Sequence, residues 1–213
     1  MSRWRCYRAL WLVIGIALCT IGLTVSAGDA KDAMRMSRFP GGHDPVPNWA
    51  PSRVDQGVDG TLSAEGFRAP FEVKVLHAIA HASGWDNGGY VVVQILQGPF
   101  QGQMLYVAEG VRAVVSAGQV VKAGDRLCDR AIDPYNGVFG SVETGFADPN
   151  APLRPLAQAL RGYAGDQSVA AITAGGAMNQ LIRELGGAGG MNKSGVQGDF
   201  ALLPVQLRRA LGL

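Results

Sequence analysis

Two imidazoles four residues apart, His77-Ala-Ile-Ala-His81, have the spacing at which a helix can offer both to one metal ion. The metalloprotease form of that spacing needs a Glu after the first His, and Ala78 stands there. The stretch also reads as strand, on which positions four apart are separated by about 13 Å, too far for one ion. His43 lies among Gly and Pro and is expected to be solvated, so no histidine is assigned chemistry. Cys128 follows Arg126-Leu127 in another strand-like stretch and reads as a small buried hydrophobe rather than a nucleophile or ligand. Trp85, beside the turn Asp86-Asn87-Gly88-Gly89, could lay a flat apolar face on a sugar ring, with Tyr135 and Phe146 as further candidates; the alternative for Trp85 is a lid folded over the end of a β core. That turn has no phosphate-loop Lys and no following helix, so nucleotide binding is not supported.

The elements that must position these residues begin after a targeting segment. Arg3, Arg5 and Arg8 precede an apolar run from Ala9 to Val25 and then Ser26-Ala27, the pattern of a secretory signal over residues 1–27 cleaved after Ala27; an uncleaved membrane anchor is the alternative. Leu18 before Cys19 is not the small residue a lipidation signal wants. Cys6 and Cys19 fall in the signal, so the cleaved chain keeps Cys128 alone and cannot form an internal disulfide. Three of the 19 Lys and Arg also fall there, with no Asp or Glu, leaving 16 basic against 17 acidic side chains. Such a balance argues against a nucleic-acid partner, which needs a cationic face.

Residues 28–50 carry Gly41-Gly42, Pro40, Pro45 and Pro47 and read as a flexible linker. From residue 51 to 150 the pattern is short β-rich runs: Phe71 to Leu76 continuing toward His81, Tyr90 to Leu96, Met104 to Ala108, Arg112 to Val115, Gln119 to Val121, Arg126 to Cys128, and Val138 to Glu143. Residues 151–213 change to helical spacing. Pro155 opens a first helix toward Tyr163, Thr173 caps a second whose stripe is Ala174, Ala177, Met178, Leu181, Ile182 and Leu185, and Leu203 to Leu211 forms a short third. The fold class expected is an all-β core with a small α-helical C-terminal extension.

One segment is more specific. Tyr106 to Leu127 joins two strands through a Gly118-x-x-Val-x-x-Gly124 turn and resembles the half-motif shared by lipoyl-type domains and lysostaphin-type (LytM-like) zinc endopeptidases of bacterial cell walls. Asp55-Gln-Gly-Val-Asp59 resembles that family's His-x-Gly-x-Asp ligands, and Phe139-Gly-Ser-Val-Glu143 stands where the family has its His-x-His pair followed by a Glu. The resemblance runs in the family's order from Arg53 to Gly145 and implies a lysostaphin-like barrel-sandwich hybrid, the duplicated hybrid motif, with the cell wall as target class.

It also implies a degenerate centre. Asp59 matches a ligand, while Asp55 and Ser141 replace ligand histidines and Phe139 and Ala108 replace the assisting ones. Catalytic zinc favours imidazoles, so no zinc cofactor is expected. The resemblance gathers Asp55, Asp59, Glu109 and Glu143 near that position. They offer a carboxylate pair for acid–base work, a hard-cation or ligand contact, or plain local hydrogen bonding. The expected function is an exported envelope protein whose peptidase-like domain binds peptidoglycan or an envelope protein without cutting. Its rivals are an active cell-wall hydrolase and a structural adaptor. A lipoyl carrier is disfavoured, since Lys122 lacks the flanking methionines of a carrier tip.

Overall fold

The computed structural model describes residues 39–85, 88–132 and 137–213. The targeting segment, Asp86-Asn87 of the glycine turn and Tyr135 lie outside the described residues. Eleven strands are seen among the described residues, as expected of β-rich runs broken by Gly and Pro. They are β1 (Ala50–Val54), β2 (Val58–Thr61), β3 (Phe67–Arg68), β4 (Val73–Ile79), β5 (Gly89–Ile95) and β6 (Met104–Glu109). There follow β7 (Val111–Ala113), β8 (Val120–Val121), β9 (Arg126–Arg130), β10 (Val142–Asp148) and β11 (Ala151–Pro155). A large antiparallel sheet has the order β1-β2-β10-β6-β5-β4-β8, with β11 also on β10, and a smaller sheet has the order β3-β9-β7. This is the all-β core expected from the sequence, with the helices confined to the C-terminal part.

Strand alternation divides the large sheet into two buried faces. Val91, Val93 and Ile95 of β5, with Leu105 and Val107 of β6, point into the main core, while Tyr90, Val92, Tyr106 and Ala108 line the other face. Both faces are covered, so these strands read as continuous apolar runs rather than as alternating ones.

Several boundaries differ from the sequence reading, each for a local reason. Residues 39–50 were expected in a linker, yet Phe39, Val46 and Trp49 are buried in the main core and Phe39 packs 5.3 Å from Phe100. Their Pro and Gly neighbours masked an apolar spacing. The helix expected after Pro155 is a single 3₁₀ turn, Leu156–Ala159, because residues 151–155 extend as β11 instead. The long helix α1 (Val169–Glu184) starts four residues before the expected cap: Ser168 Oγ accepts from Ala171 N, whereas Thr173 lies inside the helix and donates to Val169 O. The expected stripe still faces inward, with Ala174, Ala177, Met178, Leu181 and Ile182 buried. The last helix, α2 (Val205–Leu211), follows a 3₁₀ turn at Phe200–Leu202 and buries Leu207 and Leu211. The expected strand from Val138 begins only at Val142 and runs on to Asp148.

Candidate functional site

The candidate site is built at the β1–β2 turn. Val54 pairs with Val58, leaving Asp55, Gln56 and Gly57 as the loop, and Asp55 Oδ1 accepts from Gly57 N at 3.2 Å, the local bond that suits Asp to a turn. Across the sheet one register row reads Asp59, Glu143, Ala108, Tyr90, so these four side chains share a face. Asp55, Asp59 and Glu143 thereby converge, with one oxygen of each within 4.8 Å of the others, and they are only 5%, 3% and 4% exposed.

Tyr106 completes the cluster from the neighbouring row. Its partner in β10 is Gly145, and a Cβ there would lie 2.8 Å from the Tyr106 ring, so the glycine lets the ring cross β10. The Tyr106 hydroxyl then reaches Glu143 Oε1, to which it donates a hydrogen bond. Gly57 is required for the same approach, since a Cβ on it would meet the Tyr106 hydroxyl at 2.8 Å. On the other side Gln56 Nε2 lies 3.5 Å from Glu143 Oε2, and Gln56 Oε1 accepts from Gln158 Nε2 at 3.0 Å and Tyr163 OH at 3.4 Å. Both of those donors come from the C-terminal extension.

The negative charge of the cluster is partly offset from within the chain. Arg53 Nε lies 2.9 Å from Asp55 Oδ2 and 2.5 Å from Asp59 Oδ2. Burial pushes Glu143 up to about 8; the Tyr106 bond opposes the shift, and the negative charges of Asp55, Asp59 and Glu109 add to it. Glu143 therefore keeps its proton for the most part at pH 7. Asp55 is also raised, by burial and by the charge of Asp59, with the Gly57 N–H and Arg53 pulling the other way.

The candidates taken from the sequence divide clearly. Asp55, Asp59 and Glu143 meet, and Glu109, at a positive φ of 71° at the end of β6, adds its charge to Glu143. Ser141, placed by the resemblance at a ligand position, is exposed, and Glu143 two residues on fills the cluster instead. Phe139 is exposed against the Arg130 guanidinium, 3.5 Å from its ring centroid, and Ala108 is buried in the row. Trp85 stacks on Tyr90 at 5.1 Å and lies 5.4 Å from Tyr106, covering the tyrosine pair. Phe146 is buried beside Phe100 in the main core and offers no ligand face. Cys128 is buried, and burial pushes its thiol far above the usual range, as an inert core residue requires. His77 lies in β4 and His81 just beyond its end.

Arg53, Gln56, Tyr90 and Tyr106 were not singled out as site residues. Arg53 could have been found from its place two residues before Asp55, as a cation beside two closely spaced aspartates. The Tyr90 hydroxyl is buried with no hydrogen-bond partner among the described residues, and that burial, with a smaller contribution from the Glu143 carboxyl, pushes its pKa well above the usual phenol range.

Comparison with solved structures points one way. The likeness is to lysostaphin-type peptidases. A Pseudomonas aeruginosa protein described as a peptidase M23 is 21% identical over 54% of this chain and 48% of its own, with a TM-score of 0.39. Lysostaphin from Staphylococcus simulans is 16% identical over 59% of this chain and 57% of its own, at 0.39. A solution structure of lysostaphin is 13% identical over 73% of this chain and 58% of its own, at 0.43. The chain thus spans about half the length of these proteins, and the likeness is one of fold. No protein-family model and no curated protein matches the chain.

The zinc that such a fold implies does not fit these residues. The three donors are carboxyls, one of them holding its proton and a tyrosine hydrogen bond, and a guanidinium already lies against the other two.

Proposed function

We propose that this chain is an exported, cell-wall-peptidase-related domain that binds peptidoglycan or an envelope protein and does not cut. The carrying observation is Arg53: its side chain places, from within the chain, a positive charge against both Asp55 and Asp59. A hydrolytic centre needs a group free to polarise substrate or activate water. Here Asp59 is held by Arg53, Glu143 by Tyr106, and all three acids are buried. The three ordered motif matches supply the cell wall as target class, and the basic-apolar leader with its small residues before position 28 supports export. Among the described residues no helix is long and apolar enough to cross a membrane.

A second reading, a structural adaptor of an envelope assembly, draws on the C-terminal extension. Gln158 and Tyr163 bond Gln56, and α1 lies against the back of the same turn. An extension that locks the turn suits a scaffold that is never opened for substrate.

The test incubates the cleaved chain, residues 28–213, with purified peptidoglycan sacculi, with and without added divalent metal. Pelleting of the protein without release of soluble fragments is expected. Released fragments would overturn the non-catalytic reading, and neither pelleting nor release would favour the adaptor.

A further inference from the structure

The acidic cluster has the geometry of a cation site, and the cation against it belongs to the chain. One oxygen from each of Asp55, Asp59 and Glu143 lies within 4.8 Å of the others. Hard divalent cations take carboxyl oxygens at about 2.0–2.6 Å, so two oxygens on one ion stand at most about 5 Å apart. The acids are fixed from outside. Gly57 N donates to Asp55 Oδ1, the Tyr106 hydroxyl donates to Glu143 Oε1, and α1 presses on the turn so closely that a Cβ on Gly175 would lie 2.1 Å from Asp55 O. Asp55 Oδ2 and Asp59 Oδ2 are left facing Arg53 Nε, at 2.9 Å and 2.5 Å. The Tyr90 hydroxyl, in the register row of Asp59 and Glu143, adds a buried oxygen with no partner among the described residues.

Arg53 is placed by its backbone. The pairing of β1 with β2 shifts register between Pro51 and Val54, an irregularity of the kind that re-aims side chains, and Arg53 lies within it. Arg53 also bridges to Met191, and Val54 N bonds Met191 O at 3.0 Å, so the C-terminal extension fixes the strand that carries the guanidinium. A guanidinium is always charged and more weakly hydrated than an ammonium, which suits it to lie between buried carboxyls. We infer that Asp55, Asp59 and Glu143 form a hard-cation site whose ligand in this chain is Arg53 itself, the guanidinium standing where a divalent ion would bind. Carboxyl oxygens select hard ions such as Mn²⁺ or Ca²⁺ over zinc, and the exposed Arg53 side chain is the member whose removal opens the buried acids to them. The inference uses the same ion pairs as the function proposed above but not its ligand, so a failure to bind sacculi would leave it standing.

The experiment adds Mn²⁺ to the ¹⁵N-labelled parent and to Arg53→Ala, each first treated with a chelator, and follows paramagnetic broadening of amide signals and the thermal midpoint. In the parent, no selective broadening at residues 55–59 and 143 is expected, and the midpoint should be the same in chelator and in Mn²⁺. In Arg53→Ala the midpoint is expected to be lower in chelator and to rise with Mn²⁺ until it saturates, as a ligand of the folded state requires, with broadening centred on residues 55–59 and 143 and relieved by Ca²⁺. Adding Asp59→Asn to Arg53→Ala should weaken that binding by about tenfold or more, as loss of one charged ligand implies. Arg53→Gln, which removes the charge but keeps most of the stem, serves as the second variant if Arg53→Ala does not fold in chelator. Broadening of the parent at these residues equal to that of the variants would show that Arg53 does not fill the site. Absence of saturable local binding in both variants, or binding indifferent to Asp59→Asn, would show that the carboxyls do not form one.

Discussion

Arg53 Nε lies 2.5 Å from Asp59 Oδ2, at the centre of a cluster that would otherwise crowd carboxyls beneath the sheet. The Arg53 side chain is 59% exposed and the Asp59 side chain 4%, so the bond joins a solvent-facing cation to a buried anion. Such a pair matters more for what its loss leaves behind than for its own Coulomb energy.

Arg53→Met should therefore destabilise the chain by about 1–3 kcal/mol, the cost of leaving a buried polar group unsatisfied. The loss should be larger at pH 8 than at pH 5.5, because Asp55, whose pKa is raised, takes up a proton at the lower pH and relieves the repulsion. Urea unfolding at the two pH values measures both. Equal stability of variant and parent would show that Arg53 does not neutralise the cluster.

Glu143 sets a pH dependence with a definite sign. Its carboxyl moves from an ordinary 4.5 when unfolded to about 8 when folded, so between those values the folded chain holds a proton that the unfolded chain releases. The stability linked to that proton is full below about pH 4.5 and is lost as pH rises through about 8, with a slope on the order of 1 kcal/mol per pH unit. The thermal midpoint is expected to fall from pH 5 to pH 8. Glu143→Gln, which imitates the protonated carboxyl and can still accept from Tyr106, should flatten that fall and be at least as stable as the parent at pH 8. A variant that keeps the parent's slope would assign the dependence elsewhere.

Tyr106→Phe keeps the ring over Gly145 and next to Tyr90 but removes the donor to Glu143. Loss of one buried hydrogen bond to the carboxyl is expected to cost about 1–3 kcal/mol. The same bond lowers the Glu143 pKa, so the variant should titrate at higher pH than the parent. The side-chain carboxyl ¹³C shift of Glu143 reads this directly, and an unchanged titration would mean that the bond does not form in solution.

The legible part of this molecule was what local spacing encodes. Alternation and turn residues gave most of the central strands, and the inward stripe from Ala174 to Ile182 faced the core as its spacing required. The cluster was legible in composition but not in register. Asp59 meets Glu143 because β2 pairs with β10 over 80 residues away, and a register displaced by two residues puts exposed Ser141 where Glu143 belongs. Tyr106 could not be read as a carboxyl partner without knowing that Gly145 stands opposite. Residues 39–50 misled for a different reason: prolines and glycines that suggest a tether here punctuate three buried anchors, Phe39, Val46 and Trp49.

The adjacent glycines of α1 separate tertiary need from helix propensity. A Cβ at Gly175 would lie 2.1 Å from Asp55 O and 2.5 Å from Gly57 O, backbone atoms of the turn that carries the acidic cluster, and no flexible side chain is there to move aside. Gly175→Ala must push α1 off that turn or break the helix, and is expected to destabilise the chain by about 2 kcal/mol or more, as overpacking a core does. Gly176→Ala adds a methyl at 3.6 Å from Phe200, an ordinary contact, and gains about 1 kcal/mol of helix propensity. Guanidinium unfolding of the two variants should move in opposite directions. Because Asp55 and Gly57 make up the turn itself, Gly175→Ala should also shift the Glu143 titration, and Gly176→Ala should leave it in place. If both alanines proved neutral, α1 would not clamp the β1–β2 turn.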